Sequence, residues 1–450
     1  MRLLAIFIPL AATVWAAPTD VQALLGLAYA APPEIAADAL LRAAASDKLA
    51  DRKAKIDLIE QAFQLAGQAR ERYRRRHIAG APADSRSGAI DRAARLKLDS
   101  LSLRVRAVSA LLELDKAKAR AMFGRIEVPA PAPLACEEAL VYDFTDFYAL
   151  AAGVASQTFS AEERRLEQHI AFVRPFLLGI VSPAQVAPAA RLARSVAATP
   201  AQSELLAASF SAGLGNVAAD SRSFLASEPA AAEDLDPLAA QRYLARQRAA
   251  PQCLGEGLVI DLGAMLGLAG NKQAQEAGPS RVAKLHRYWT SPAAQAMLAR
   301  GMRLRWGPSG APGRMPTLEE RKSAEWQNQL AETLNELASW KPGPEESEAD
   351  YFHQRCLFYE SLVELTPPGE TRDAVVRALI EYLSGSSMQR ESPAEWLSHG
   401  AELLSRLRLS GDSDGSRLLD AFLRSDNAAL ALLARLERLA PVPAIPDFAR

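Results

Sequence analysis

Two short clusters in this chain combine carboxylate, aromatic and cationic side chains, as a groove that cleaves sugars does. The first cluster comprises Tyr142, Asp143, Asp146 and Tyr148, and the second comprises His286, Arg287, Tyr288 and Trp289. Neighbouring residues on a helix point in different directions, so no more than two members of a cluster can share one pocket. We therefore predict structural roles for both clusters, with Asp143 or Asp146 capping a helix and a binding or catalytic role as the alternative.

A run of arginines gives the strongest local charge in the chain. Its members are Arg70, Arg72, Arg74, Arg75 and Arg76, placed around Glu71 and Tyr73. Cations at the C-terminal end of a helix complement the helix dipole, and a Gly/Pro loop follows, so we predict a solvated helix end. The functional alternative is contact with an anion, such as an acidic polysaccharide or phospholipid headgroups, for which we single out Arg72 and Arg75.

The histidines and cysteines do not form a recognisable metal motif. His353 and Cys356 are three residues apart on a predicted helix, but one such pair supplies half of a tetrahedral zinc site. Trp396 and His399 share a helix face, and we predict a packed tryptophan beside a partly exposed histidine. The sequence lacks the H-E-x-x-H, C-x-x-C-H, G-x-x-x-x-G-K and G-x-S-x-G motifs. We therefore predict no metal, no cofactor and no nucleophilic catalysis.

The overall charge gives no basis for binding nucleic acid. Lysine and arginine number 52 and aspartate and glutamate number 53, so the formal net charge is −1. Nucleic-acid binding needs a concentrated basic face, and a balanced chain offers none globally.

The N-terminus has the form of a secretory signal peptide. Arg2 precedes an uncharged run from Leu3 to Val14, and Ala16 completes a small-residue cleavage site. We expect a cleaved leader over 1–16, a secreted or periplasmic mature protein, and no membrane span after cleavage, since later apolar runs are interrupted by charge or proline. In an oxidising compartment two of the three cysteines could form a disulfide, or all three could be buried thiols. They are Cys136, Cys253 and Cys356.

Helix starts recur along the chain. A hydroxyl residue precedes Glu or Gln by three positions, which predicts a capping box, at Ser160, Thr199, Thr317 and Ser392. Proline is expected at the first helical position at Pro183, Pro200, Pro237, Pro292 and Pro393. Between these starts apolar residues step by three and four, as in the series Leu98, Leu101, Val105, Val108 and Leu112 and in the series Leu166, Ile170, Val173 and Leu177. The best strand candidate is the brief segment 258–262.

These patterns predict an all-α protein of stacked helical hairpins. Segments 33–46 and 49–69 form one expected pair, and 350–365 and 370–384 form another. The arrangement loosely resembles α-solenoids such as the tetratricopeptide and HEAT repeats, although no constant period is present. We predict an irregular α-solenoid, with an α/α toroid as the alternative. Composition shifts near 128 and 310 suggest helical domains over 17–128, 129–310 and 311–450, with a semi-rigid Pro-rich linker over 127–134.

The functional prediction follows from the leader, the helical pattern and the scarcity of histidine. We expect an exported helical scaffold or binding protein without catalytic activity, whose partner is another protein or an extracellular polymer. The alternative is a secreted carbohydrate-active enzyme on an α/α toroid. In such an enzyme, acidic and tyrosyl side chains would converge in one cavity.

Overall fold

A computed structural model describes residues 19–77, 84–135, 138, 140–218, 221–226, 237–249, 288–307, 314–344, 346–386, 392–409 and 419–439. Within these ranges the chain is helical apart from loops and one pair of three-residue strands, so the all-α prediction is confirmed. The predicted leader, strand 258–262, Cys136, Cys253, His286 and Arg287 lie outside the described residues.

The first half of the chain contains twelve described helices and both strands. They are α1 (Thr19–Ala30), α2 (Pro33–Ala45), α3 (Arg52–Ala66), β1 (Arg75–His77), α4 (Arg86–Ala94), α5 (Ser100–Leu114), α6 (Lys116–Phe123), β2 (Leu140–Tyr142), α7 (Thr145–Gln157), α8 (Ala161–Arg165), α9 (Gln168–Leu178), α10 (Pro183–Val196), α11 (Pro200–Leu214) and α12 (Ser221–Ala226).

The second half contributes eight further described helices. They are α13 (Pro237–Ala249), α14 (Pro292–Trp306), α15 (Leu318–Lys322), α16 (Ala324–Ser339), α17 (Glu348–Leu365), α18 (Glu370–Gly385), α19 (Pro393–Leu409) and α20 (Ala428–Leu439).

Local capping chemistry sets the helix starts. Each of the five predicted prolines occupies the first position of its helix. Ser160 and Thr317 form complete capping boxes with Glu163 and Glu320. At Thr199 only half of the box forms: its hydroxyl accepts from the amide of Gln202, while the Gln202 side chain accepts from the amide of Ala198.

The apolar stripes form a continuous core rich in alanine and leucine. All five members of the α5 stripe that begins at Leu98 are buried, as the spacing predicts. Leu166 is an exception, because it was expected to face inward but is 60% exposed. The helix breaks there: α8 ends at Arg165, and Glu167 takes a left-handed conformation with φ 56° before α9 begins. A break of this kind rotates Leu166 off the stripe.

The arginine run is not a helix end, which corrects the prediction. Helix α3 ends at Ala66, and residues 75–77 form β1, which pairs antiparallel with β2. Arg75 is opposite Tyr142, and Arg76 is opposite Val141. The run lacks an apolar residue at every third or fourth position, so it cannot bury a helical face, whereas an extended ribbon alternates its side chains between two faces.

The proline-rich segment after α6 has no regular secondary structure, and it is held against the protein. Its carbonyl at Pro129 accepts a hydrogen bond of 2.8 Å from the buried side chain of Gln185 on α10. Val128 packs beside Gly179 at the end of α9. These contacts fix the path of the segment between the helices that precede and follow it.

Helices from the two ends of the described chain pack together. Helix α20 contacts α1 and α2, and α19 contacts α2 and α4. The predicted hairpin partners also pack, α2 against α3 and α17 against α18. Among the described residues, no helix combines the length and the hydropathy that crossing a membrane requires.

Candidate anion-binding site

The β-ribbon brings together the two charged clusters that the sequence analysis treated separately. Arg74 donates to Asp143 at 2.8 Å and lies 3.6 Å from Asp146. Lys97 binds Asp146 at 2.7 Å, and Arg76 lies 3.6 Å from Asp143. Asp143 also accepts the amide hydrogen of Thr145 at 3.0 Å. Asp143 thus bonds the first amide of α7 from the position before the N-cap, which is Phe144 and carries no side-chain cap, so neither predicted aspartate occupies the capping position. Each carboxylate is matched by cations.

These contacts favour a structural role for Asp143. Burial alone would raise its pKa, but Arg74, the Thr145 backbone and side chain, and Arg76 together lower it below its usual value. A general acid in glycoside cleavage needs the opposite shift, because it must carry a proton near neutral pH. The ion pairs instead keep Asp143 ionised and fasten the ribbon to the start of α7.

Tyr142 belongs to a small aromatic cluster beside the ribbon. Its ring lies 6.0 Å from the ring of Tyr73, edge to face, and stacks 5.9 Å from the ring of Phe144. Arg75, its cross-strand neighbour, is half-buried. Tyr142 therefore packs the ribbon onto the core, and little of its ring is left to bind a ligand.

The described part of the second predicted cluster is also packed inward. Trp289 takes a left-handed conformation with φ 66°, and its ring stacks 6.2 Å from the ring of Trp340. Tyr288 is buried and stacks 5.9 Å from the ring of His353. Both aromatic residues join the segment before α14 to the C-terminal helices.

Three arginines converge on one surface, which we call the arginine patch: Arg72, Arg104 and Arg125, with Glu127 as the neighbouring carboxylate. The guanidinium carbons of Arg104 and Arg125 lie 5.1 and 5.2 Å from the centre of the buried Phe63 ring, within cation–π range. Arg72 binds Glu127 at 2.8 Å, and both side chains are largely exposed.

The arginine patch carries more positive than negative charge. Burial is the largest cause of a lowered pKa at Arg104, and the positive charges of Arg125 and Arg72 lower it further against the opposing effect of Glu127. The Nε of Arg104 is buried and has no hydrogen-bond partner. Three guanidinium groups facing one exposed carboxylate leave about two positive charges unmatched, and planar guanidinium groups suit carboxylate or phosphate oxygens.

A glycine provides space for the central guanidinium of the patch. Gly67 caps α3, and a Cβ atom added there would lie 2.4 Å from Nη2 of Arg104. Gly67 has right-handed helical backbone angles, which any residue can adopt. Glycine is therefore favoured here because it leaves space, and not because of its backbone freedom. The absence of a side chain at Gly67 therefore leaves room for the Arg104 guanidinium beside the end of α3.

Only one of the three arginines of the patch is conspicuous in the sequence. Arg72 belongs to the conspicuous run, whereas Arg104 and Arg125 are isolated on α5 and just after α6. Arg104 lies between Leu101 and Val105 in the sequence but outside the apolar series to which they belong. From the sequence alone it therefore resembles an ordinary solvated residue of α5. Only the packing of α3, α5 and the segment after α6 brings the three together.

A second polar cluster, which the sequence did not predict, is buried between α17 and α19. His353 on α17 and His399 on α19 form a hydrogen bond of 2.9 Å, and His399 contacts Glu360 at 2.6 Å. His399 is fully buried, which corrects the expectation of partial exposure, because α17 and α4 cover this side of α19. Cys356 is a buried thiol on the same helix as His353.

Comparison with known proteins gives no relative from which to transfer a function. No protein-family model matches the chain, and neither the curated proteins nor the solved structures include a significant match. In the part of the chain that the structure describes, no group of three or more histidine, cysteine, aspartate or glutamate side chains is arranged to hold a metal ion.

Proposed function

We propose that this protein is an exported helical binding protein that holds an anionic extracellular polymer at the arginine patch, without catalysing a reaction. The single observation that supports this proposal is the excess of guanidinium groups around Glu127, with Arg104 half-buried and short of a hydrogen-bond partner. A carboxylate or phosphate group of the ligand would supply the missing negative charge and accept hydrogen bonds from the guanidinium groups of the patch.

The surroundings of the patch favour a polyanion in solution over a lipid surface. Peripheral membrane binding usually adds apolar side chains that enter the acyl region. The large apolar side chains that are exposed in the described residues are scattered, and none lies in the patch: Tyr29, Leu166, Leu178, Leu298 and Leu318. Phe63, the aromatic residue of the patch, is covered by the two arginines and is 2% exposed.

We further propose a stack of helical hairpins that closes on itself, intermediate between the open solenoid and the ring that the sequence allowed. The packing of consecutive helices supports the stack. The contacts of α20 with α1 and α2 support closure. Such an arrangement presents its side chains outward along a continuous contour, as a binding scaffold does.

Replacing Arg104 with glutamine is expected to weaken binding of a polyuronate by about tenfold or more, since a charged hydrogen bond contributes roughly 1.5–3 kcal/mol. The measurement is titration calorimetry of the full mature chain with polygalacturonate, with neutral dextran as the unbound reference. Binding should also weaken as sodium chloride rises from about 0.05 M to about 0.5 M, because salt screens exposed charges.

Two further variants distinguish binding at the arginine patch from nonspecific attraction of the polymer to positive charge elsewhere on the protein. Gly67→Ala keeps every cation but displaces the Arg104 guanidinium, and it should also weaken binding. Arg314→Gln removes an exposed arginine that is paired with Glu320 elsewhere on the protein, and it should leave affinity unchanged. Equal affinity in wild type and Arg104→Gln, or an equal loss in Arg314→Gln, would contradict the assignment.

The export proposal predicts a defined N-terminus. Expressed with its leader in a bacterial host, the protein should be recovered outside the cytoplasm, beginning at Ala17 after cleavage behind Ala16. Intact-mass measurement of the recovered chain checks the cleavage site, and Ala16→Asp should block processing. A full-length chain found only in the cytoplasm would exclude export.

A further inference from the structure

A chain of buried polar contacts joins three helices that are distant in the sequence. Arg92 on α4 donates to Glu360 on α17 at 3.2 Å. Glu360 contacts Nδ1 of His399 on α19 at 2.6 Å, and Nε2 of His399 lies 2.9 Å from Nδ1 of His353. We call these four residues the polar junction. Glu360, His353 and His399 are each at most 3% exposed.

The hydrogen bond between the two rings limits how many protons the junction can hold. Glu360 has no hydrogen to give when ionised, so Nδ1 of His399 must donate to it. The contact between Nε2 of His399 and Nδ1 of His353 then needs one nitrogen that carries a proton and one that does not. Both imidazole rings therefore cannot be cations while the contact stands, because two N–H groups would face each other at 2.9 Å.

The charges around the junction also oppose full protonation. The pKa of His399 is lowered to about 4, and burial is the largest cause. The positive charges of Arg92 and His353 also lower this pKa, whereas Glu360 raises it. The charged groups that face the junction are Arg86 and Arg92 from α4, Asp350 and Glu360 from α17, and Glu395 and Arg406 from α19. Tyr288 covers the ring of His353.

The polar junction lies where one group of helices meets the rest of the protein. Helix α14 contacts α16 and α17, and α17 contacts α18; α17 and α18 also contact α19, which packs on α4. Further polar links cross this boundary. On the side of α4 they include the pair of Arg86 with Asp350 at 3.0 Å and a backbone hydrogen bond from Tyr288 to Asp84 at 2.8 Å. On the side of α19 they include Arg406 with Glu364 at 3.7 Å, His353 with Glu395 at 3.5 Å and a hydrogen bond of 2.7 Å from Trp396 to Ser386. Breaking the contacts of His399 therefore loosens α17 from α19, and it removes a partner of Glu360, the residue that also joins α17 to α4.

We propose that the polar junction is an acid-sensitive latch, in which proton uptake by its two histidines separates helices α14–α18 from α4 and α19. This inference does not depend on the arginine patch or its ligand. An exported protein meets the external pH directly, so a latch of this kind couples the arrangement of its helices to acidity.

The direction of the effect follows from linkage. In the opened form His399 is solvated and regains its ordinary pKa of about 6.5, whereas in the closed form its pKa is about 4. The opened form therefore binds the proton more tightly, and opening is favoured as pH falls below about 6.5 and until about 4. Proton uptake at His399 alone changes the opening equilibrium by at most about tenfold per pH unit, or about 40-fold from pH 6.5 to pH 4.5.

Hydrogen exchange measured by mass spectrometry on the full mature chain tests the latch. Rates at about pH 7, 5.5 and 4.5, corrected for the intrinsic pH dependence of exchange, should show loss of protection in α4, α17 and α19 first. Helices α10 and α11, which pack on α7 and α9, should stay protected. Simultaneous loss of protection in all helices would show ordinary acid unfolding and overturn the proposal.

A matched pair of variants identifies the titrating group. His399→Gln keeps a donor for Glu360 and an acceptor for His353 but does not titrate, so it should remove the pH dependence of opening. His169→Gln removes a buried histidine on α9, whose pKa is also lowered by burial, and should leave the opening unchanged. Opening of His399→Gln at the wild-type pH would overturn the proposal, and if that variant does not fold, the wild-type exchange pattern still decides.

Discussion

Replacing Glu360 with glutamine is expected to lower the free energy of unfolding by about 3–5 kcal/mol, the range observed when one partner of a buried ion pair is removed. The variant keeps the size of the side chain and an acceptor for His399, but it leaves the guanidinium of Arg92 without its countercharge. The Arg92 side chain is only 15% exposed, so water cannot replace the carboxylate. Chemical denaturation monitored by circular dichroism at neutral pH measures the change.

The partner variants show whether the loss comes from the unpaired charge. Glu360→Met combined with Arg92→Met removes both charges, and it should cost much less than the sum of the two single changes. Asp420→Asn breaks the half-exposed pair with Arg438, and it should change stability by at most about 1 kcal/mol. A Glu360→Gln protein within 1 kcal/mol of wild type would mean that the junction contributes little.

Gly213→Ala is expected to destabilise the protein by about 3 kcal/mol or more, although alanine normally favours a helix interior over glycine. Gly213 is buried on α11 where that helix crosses α9. A Cβ atom at this position would lie 1.9 Å from the carbonyl oxygen of Leu177 and 3.1 Å from its carbonyl carbon. The obstacle is backbone, so the two helices would have to move apart along their contact.

Gly26→Ala is the matched control for this prediction. Gly26 lies inside α1, and an added Cβ atom would meet no atom within 4 Å. The variant should therefore gain about 0.5–1 kcal/mol, the usual preference of a helix for alanine. Thermal unfolding of the wild type and of both variants under the same conditions measures the change in stability that each substitution causes. A Gly213→Ala protein as stable as Gly26→Ala would show that α9 and α11 do not approach so closely.

Features that depend on a few consecutive residues could be predicted from the sequence. A proline or a capping hydroxyl determines a helix start within one turn, so the starts at Ser160, Pro292 and Thr317 agree with the structure. The α5 stripe was predicted for the same reason. Leu166 was assigned wrongly because a single left-handed residue, Glu167, interrupts a pattern that otherwise looks continuous.

Features that depend on distant contacts could not be predicted in this way. The β-ribbon pairs segments with a long separation, and neither segment has the length or alternation of a typical strand. His353 and His399 are 46 positions apart, and each alone resembles an ordinary residue of a helix face. The arginine patch likewise comes from three elements, and its excess of charge is visible only after those elements pack.

The packing of α20 against α1 and α2 has a consequence for the order of events during synthesis. Helices α1 and α2, which carry the fully buried Leu24 and Leu40, pack against the helix that ends at Leu439. Helices α1 and α2 leave the ribosome long before α20, so the apolar faces that α20 covers stay exposed to solvent in the interval. A chain in that condition is a natural client for holding chaperones, and it completes this part of its core only once α20 has been synthesised.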